Sequence, residues 1–416
     1  MEKIAFLFPG QGSQFAGMAK SFYDQHLIAR QTFEEASDIL GFDMARLCFE
    51  ETLANLSKTE NLQPAMLTAS ITALRVYIQE IGITPQFCAG HSLGEYSALT
   101  CAGVIRFADC LKLVRQRGML SREIILSGKG AMSIIDGIDR GVVEQECEKV
   151  SDQENFVAVS CYNAPDQIAV SGCQDAVMEL ENRVLELGAQ VTPLIGSAPF
   201  HNPLMQSAAD VLEKELEKYT FSGFRYPVIS NVTGLPYGSS GKAVEILKKQ
   251  LTHPVRWQET MNYLKRKGVT LVIEMGPRNV LCNLSKANQT AFDTVCFEQK
   301  EDRTAFLEFL SQNEALTRQK QNLVKKCLAA SVAVPNQNWD EQEYLEGVIL
   351  PFKRLREIQA EAEDAQKLPG ETQMQEALSL LYRIFETKRL PKQEQTEWFG
   401  QILDETGTNY LFGNFA

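Results

Sequence analysis

The 416-residue sequence holds only four histidines, at positions 26, 91, 201 and 253. Its ten cysteines include no C-x-x-C pair and no Cys/His grouping at zinc spacing, which excludes a sequence-encoded zinc module and leaves reduced core thiols as the reading. No apolar window approaches the length of a membrane span, and the run Ile4–Phe8 is too short for a signal peptide before Pro9-Gly10 ends it. The expectation is a cytoplasmic protein with no membrane partner. Positive charge is in deficit: 41 Lys and Arg stand against 53 Asp and Glu, a net charge of −12, which argues against a nucleic-acid partner. The Gly-rich segment Pro9–Gln14 lacks the Gly-Lys-Ser/Thr that a phosphate-binding P-loop needs. There is no internal repeat and no low-complexity tract.

What is present centres on Ala89-Gly90-His91-Ser92-Leu93-Gly94-Glu95, a G-x-S-x-G nucleophile elbow. Small residues at 90 and 94 let a sharp strand-to-helix turn close and leave the serine at its tip, over a helix N-terminus. With 27 glycines in the chain the bare pattern is weak, so its context decides. An amphipathic helix is expected over residues 67–79, a buried strand over 86–90, and a helix from Glu95 that stops at Gly103. Strand, elbow and helix thus occur in the order a nucleophilic Ser92 requires.

The rest of the chain reads as an α/β protein with more than one core, as 44% hydrophobic content over this length allows. Residues 3–8 form a first buried strand, and the loop after it lies on the sheet's carboxyl edge, where free N–H groups could face the serine. Residues 20–80 read as helices, and Phe107–Leu120 as a helix with an apolar stripe beside Arg117. That arginine needs an anionic partner, either a structural ion pair or a substrate carboxylate. Residues 129–196 give the order β-α-β-β-α-β, a small ferredoxin-like insert. Strands at Tyr226–Val232 and Val269–Met275 return the chain to the first domain. The expected organisation is an α/β-hydrolase-like large domain over 1–128 and 197–300, the insert at 129–196, and a helical C-terminal extension at 301–416 with a linker at Leu368–Glu371. In the extension, Met374, Leu378, Leu381 and Phe385 recur at helical spacing, and Trp398, Phe399, Ile402 and Leu403 suggest another helix; the segment packs on the main body or docks a partner.

A serine hydroxyl needs a base. His91 adjoins Ser92 and is an awkward partner for it, and His26 sits in an early polar helix. His201 and His253 remain, each in a loop. His201 is the better placed, because its loop leaves the insert and re-enters the sheet domain beside the cleft.

Six segments then carry a resemblance: Phe8–Gln14, Gly90–Glu95, Arg117-Gly118, Tyr162–Gln167, Ala198–His201 and Glu274–Pro277. Over roughly residues 1–300 the sequence resembles the malonyl-CoA:acyl carrier protein acyltransferases of fatty-acid and polyketide synthesis, most of all the freestanding polyketide members that act in trans. The resemblance implies that Ser92 is the acylated nucleophile and His201 the base, oriented by the carbonyl of Gln250. It implies an oxyanion hole from the N–H groups of Gln11 and Leu93, and a carboxylate grip by Arg117. His91, Phe200 and Ser121 would join Arg117 in binding substrate; Phe200 follows the malonyl-type pattern. Ser121 departs from the methionine common at that place, and so leaves open a malonyl unit with a hydroxy or amino substituent. A proofreading hydrolase that strips acyl groups from carrier proteins is the second alternative. No metal or cofactor is implied; coenzyme A thioester and phosphopantetheine enter as substrates. The implied partner is an acyl carrier protein, with Lys248, Lys249, Lys265, Arg266 and Lys267 as candidate contacts, and the extension could dock on a polyketide synthase.

Overall fold

The computed structural model of the chain describes residues 3–128, 130–312, 322–365, 369–406, 408 and 412. By its packing the chain divides into two units: residues 1–74 with 85–309, and residues 75–84 with 310–416. The expected boundary at 300/301 coincides with the start of the helix Lys300–Gln312, most of which belongs to the first unit. Residues 129–196 also remain within the first unit. Of the expected linker, Leu368 lies outside the described residues, and Gly370 caps the helix Glu371–Thr387.

The first unit is built on two sheets. Strands β1 (Ile4–Phe8), β2 (Phe87–Gly90), β7 (Val228–Ile229), β8 (Leu271–Glu274) and β9 (Asp293–Cys296) form a parallel sheet in the order β7-β2-β1-β8-β9. Central β1, IAFLF, is buried at every position, as a parallel strand covered on both faces must be. Strands β3 (Gly130–Asp136), β4 (Val157–Ala164), β5 (Gln167–Cys173) and β6 (Gln190–Pro193) form an antiparallel sheet in the order β4-β5-β3-β6. Helices Arg140–Val150 and Gln174–Glu186 connect β3 to β4 and β5 to β6, and their apolar faces bury Val143, Val177, Leu180 and Val184 against Ile135, Ile168 and Val170.

Three elements differ from expectation. The helix expected over residues 67–79 begins earlier, at Thr59, and runs to Glu80. The strand expected over Tyr226–Val232 is only two residues long, because the chain turns at once: Ser230 N–H donates to the Leu235 carbonyl at 2.9 Å and Gly234 N–H to that of Ser230 at 2.8 Å. The helix expected to end at Leu120 continues to Leu126, which puts Ser121 inside it together with Arg117, already expected there.

The second unit contains the helices Leu323–Ala333, Leu350–Asp364, Glu371–Thr387 and Lys392–Thr406. Leu378, Leu381 and Phe385 of the third helix share one core with Phe399, Ile402 and Leu403 of the fourth, where the Phe385 and Phe399 ring centres lie 5.5 Å apart, and Met374 and Trp398 pack at the margin. The 3–4 spacing is thus the inward face of a separate core.

The turn between β2 and the helix Gly94–Cys101 is closed by contact. A Cβ on Gly94 would lie 1.9 Å from the Phe8 carbonyl oxygen, and one on Gly90 would lie 2.0 Å from the Gly94 carbonyl. Both neighbours are backbone, so neither can swing away. Gly94→Ala should destabilise the protein by about 1–3 kcal/mol, read as a lowered midpoint in denaturant; an unchanged midpoint would show that the sheet can open at this point.

Candidate active site

The carboxyl ends of β1, β2 and β8 bring three loops together, as in open parallel sheets that bind ligands at that edge. Ser92 sits at the turn after β2 with φ 52°, a left-handed conformation costly for a residue with a Cβ. Hydrogen bonds hold it there. Ser92 N–H donates to Asn231 Oδ1 at 2.7 Å, and Asn231 Nδ2 donates to the Gly90 carbonyl at 2.7 Å. His91 N–H donates to the Phe8 carbonyl at 3.0 Å.

His201 also has a left-handed backbone, φ 62°, and is 3% exposed. Its Nε2 lies 2.8 Å from Ser92 Oγ, and its Nδ1 lies 2.6 Å from the Gln250 carbonyl. A carbonyl only accepts, so Nδ1 carries the proton and Nε2 presents its lone pair to the serine hydroxyl. The antiparallel sheet clamps the loop on both sides of the ring: Ser171 Oγ donates to the Phe200 carbonyl at 2.9 Å, and Asn202 Nδ2 donates to the Ser171 carbonyl at 2.7 Å. Burial, and next the Arg117 charge, push the His201 pKa down to about 3.

The loop after β1 reaches the elbow. A Cβ on Gly10 would lie 2.4 Å from the His91 carbonyl oxygen and 3.7 Å from Leu93 N. Neither Gln11 N–H nor Leu93 N–H donates to any acceptor among the described residues. Two free backbone donors therefore lie in the segments that flank Ser92, as an oxyanion site requires.

Arg117 is 1% exposed. Its Nη1 donates to Gln63 Oε1 at 2.9 Å, while Nε and Nη2 are buried with no hydrogen-bond partner among the described residues. The guanidinium carbon lies 5.1 Å from the Phe200 ring centre and 5.6 Å from that of Tyr96. Of the two partners sequence reasoning left open, no structural ion pair forms among the described residues; the contacts are an amide and two aromatic faces.

Ser121 donates its hydroxyl proton to the Arg117 carbonyl one turn back at 2.7 Å, in helix back-bonding. His91 Nε2 bonds Asn163 Oδ1 at 2.8 Å, and the ring packs on Trp257. His253 is exposed, and its Nδ1 lies 3.0 Å from the Lys249 carbonyl. Two of the five basic candidates are neutralised locally, Lys248 by Asp210 and Glu213 and Lys249 by Glu245. Lys265, Arg266 and Lys267 remain exposed at the end of the helix Trp257–Arg266.

One grouping with metal-ligating atoms exists among the described residues: Glu274, Cys282 and Cys296, within 4.8 Å of one another. The carboxylate already accepts the N–H groups of Leu281 and Cys282 at 3.0 and 2.8 Å. The contact with Cys296, then burial, raise the Cys282 pKa, which keeps it a thiol and not the thiolate a metal prefers.

Sequence reasoning missed Gln63, Glu95, Asn231 and Tyr237. Only Glu95 carried a signal, as an acid in the first turn after the elbow; the others are brought in by tertiary folding.

The model of the acyl transferase domain matches residues 5–320. This chain belongs to the acyl transferase family. A malonyl CoA-acyl carrier protein transacylase of Bacillus subtilis is 38% identical over 395 residues, covering 95% of this chain and 99% of that protein. The transacylase of Escherichia coli K12 is 41% identical over 288 residues, 69% of this chain and 93% of its own. Among solved structures, a malonyl-transacylase described in complex with a type II polyketide acyl carrier protein aligns with TM-score 0.71 at 37% identity, over 74% of this chain and 99% of that one. The acyl transferase match thus contains the whole elbow and both flanking loops.

The neutral imidazole yields a prediction. With a folded value of about 3 against an ordinary one near 6.5, His201 should show no titration of its ring resonances between pH 5 and 8 by NMR. The unfolded chain takes up this proton first, so the group's contribution to stability is intact above about pH 6.5 and is lost as pH falls toward the folded value. A midpoint near 6.5 in the folded protein would refute the buried, neutral assignment.

Proposed function

We propose that the chain transfers a malonyl group from coenzyme A, or from a donor carrier protein, through an ester on Ser92 to the phosphopantetheine thiol of an acyl carrier protein. The single observation that carries the malonyl part is Arg117, buried with two unpaired donors beside Phe200 and close enough to His201 to depress its pKa. A buried guanidinium with free N–H groups is strongly stabilised by a carboxylate that brings its own charge. The names of the relatives point to the same acyl group and acceptor.

In the forward half-reaction Ser92 Oγ bonds to the thioester carbon as its proton passes to His201 Nε2. The oxyanion rests on the N–H groups of Gln11 and Leu93. The C–S bond then breaks, and the leaving sulfur takes the proton from His201. In the second half the phosphopantetheine thiol gives its proton to the same nitrogen, its sulfur bonds to the acyl carbon, and Ser92 recovers its proton as the ester breaks. Gln250 holds Nδ1–H through its carbonyl and so fixes the tautomer. Every proton in this scheme has a place on Ser92, His201 or a thiol, and neither a metal nor a bound cofactor is called for.

The hydrolase alternative, removing plain acyl groups, gives Arg117 no anion to bind; a malonyl unit with a hydroxy or amino substituent stays the second reading, since the Ser121 oxygen that donates to its own helix can still accept a hydrogen bond. The βαββαβ order and the β4-β5-β3-β6 arrangement support a ferredoxin-like subdomain within an α/β-hydrolase-like domain. Residues 301–416 serve as a helical extension and as a docking element for a synthase; the relative matched over 95% of this chain shares much of it. The ten free cysteines suit a cytoplasmic setting, and no helix is long and apolar enough to cross a membrane among the described residues.

Ser92→Ala should abolish transfer of radiolabelled malonyl between thiols; label that still moves would end the acyl-enzyme reading. Arg117→Ala should lower kcat/KM for malonyl-CoA by about 100-fold and raise acetyl loading relative to malonyl, measured by intact mass of the acyl-enzyme. Unchanged selectivity would remove the arginine from the site.

A further inference from the structure

Glu95 lies one helical turn beyond the nucleophile and is completely buried, with no ion-pair contact among the described residues to compensate it. Burial pushes its pKa up to about 7, against the opposing pull of its donors and of Arg117. An acid does not occupy such a place without strong partners. Its Oε1 accepts the Tyr237 hydroxyl at 2.6 Å. Its Oε2 accepts Gln250 Nε2 at 2.6 Å and the Asn231 N–H at 3.3 Å. Gln250 Nε2 also donates to the Ser92 carbonyl at 2.9 Å.

These contacts converge on one residue. Gln250 touches the base with its backbone and the elbow with its side chain. Its carbonyl sets the His201 ring, and the next carbonyl, that of Leu251, accepts the His201 N–H at 2.9 Å. Gln250 is the last residue of the helix Ala243–Gln250, so nothing within its own helix beyond that point fixes where its carbonyl aims. The amide, seated on Glu95, supplies that fixation.

We propose that Glu95 is a positioning residue for the base: through the Gln250 side chain it sets the carbonyl that orients His201, and through the same amide it ties base and nucleophile to one anchor. In a Ser-His-Asp triad a carboxylate touches the imidazole directly. Here a carboxylate stands one residue further back and acts through a neutral amide. That arrangement holds the ring without placing a negative charge against it, so the imidazole stays neutral beside Arg117. The proposal rests on the assignment of His201 as base.

The test is a double-mutant cycle on the full-length protein. Gln250→Met removes the amide and keeps the backbone carbonyl; Glu95→Leu removes the carboxylate. Each should lower kcat for malonyl transfer by about 10- to 100-fold, the scale of a small misplacement of reacting groups, with KM for malonyl-CoA held within about threefold. The double variant should be no slower than the slower single one, because both cut the same link. Glu95→Gln keeps an oxygen for the Gln250 amide, and the Tyr237 hydroxyl can turn to accept, so this variant should recover most of the loss. In Gln250→Met the downfield proton resonance of His201 Nδ1–H should shift or broaden, which a merely structural contact would not cause. A Gln250→Met protein with wild-type kcat overturns the proposal even if Glu95→Leu fails to fold, as do single effects that multiply in the double variant. His201→Ala run alongside separates the two readings. If it still acylates, the base assignment falls; if it is inactive beside a fully active Gln250→Met, only the positioning role falls.

Discussion

The bond between Ser92 Oγ and His201 Nε2 joins residues 109 positions apart, and most of what surrounds it serves to make that distance short. Neither partner holds its backbone cheaply. Both have positive φ, and such conformations last only where the surroundings over-determine them. For Ser92 the surroundings are glycines that admit the Phe8 and Gly94 carbonyls, and the Asn231 amide that bridges the two sides of the turn. For His201 they are Ser171 on one sheet and the Gln250–Leu251 carbonyls at a helix end.

The electrostatics follow from burial. Arg117, Glu95 and His201 are all removed from water, and each is displaced toward its neutral form chiefly for that reason. A cation and an anion survive there because amides, hydroxyls and aromatic faces stand in for the lost water. For the imidazole, the Gln250 carbonyl is outweighed by burial and by the Arg117 charge, and the ring stays neutral, which is the state a base must occupy before it accepts a proton. Arg117 retains two donors unspent, so the free energy of satisfying them is held for an incoming anion and not for a neighbouring side chain.

The elements were legible where the pattern was local. The unbroken apolar runs of β1 and β8 read as buried strands, and the 3–4 stripe through Leu378, Leu381 and Phe385 read as a helix face. The elbow was legible because its glycines answer to steric limits within a few residues. The strand at Tyr226–Val232 was overread, since the turn at Ser230–Leu235 closes through backbone bonds that composition does not announce. The bond that Ser121 makes to its own helix becomes evident only once the helix is known to continue past it. Lys248 and Lys249 are candidate contacts for a carrier protein by sequence, yet carboxylates on the same and a neighbouring helix already pair with them.

By itself the sequence determined the sharp turn that lifts Ser92, the strands that feed it and the cationic residue set in an apolar helix face, because each is decided by sterics and hydrophobicity over a few neighbouring positions. Among the histidines the sequence favoured His201, and a family resemblance pointed to the Gln250 carbonyl; tertiary structure decided the distances at which they meet the serine, and that Asn231, Tyr237 and Glu95 brace the pair. Those contacts span gaps of up to 158 residues. They depend on how two sheets and their loops close on one another, and no periodicity along the chain encodes that closure.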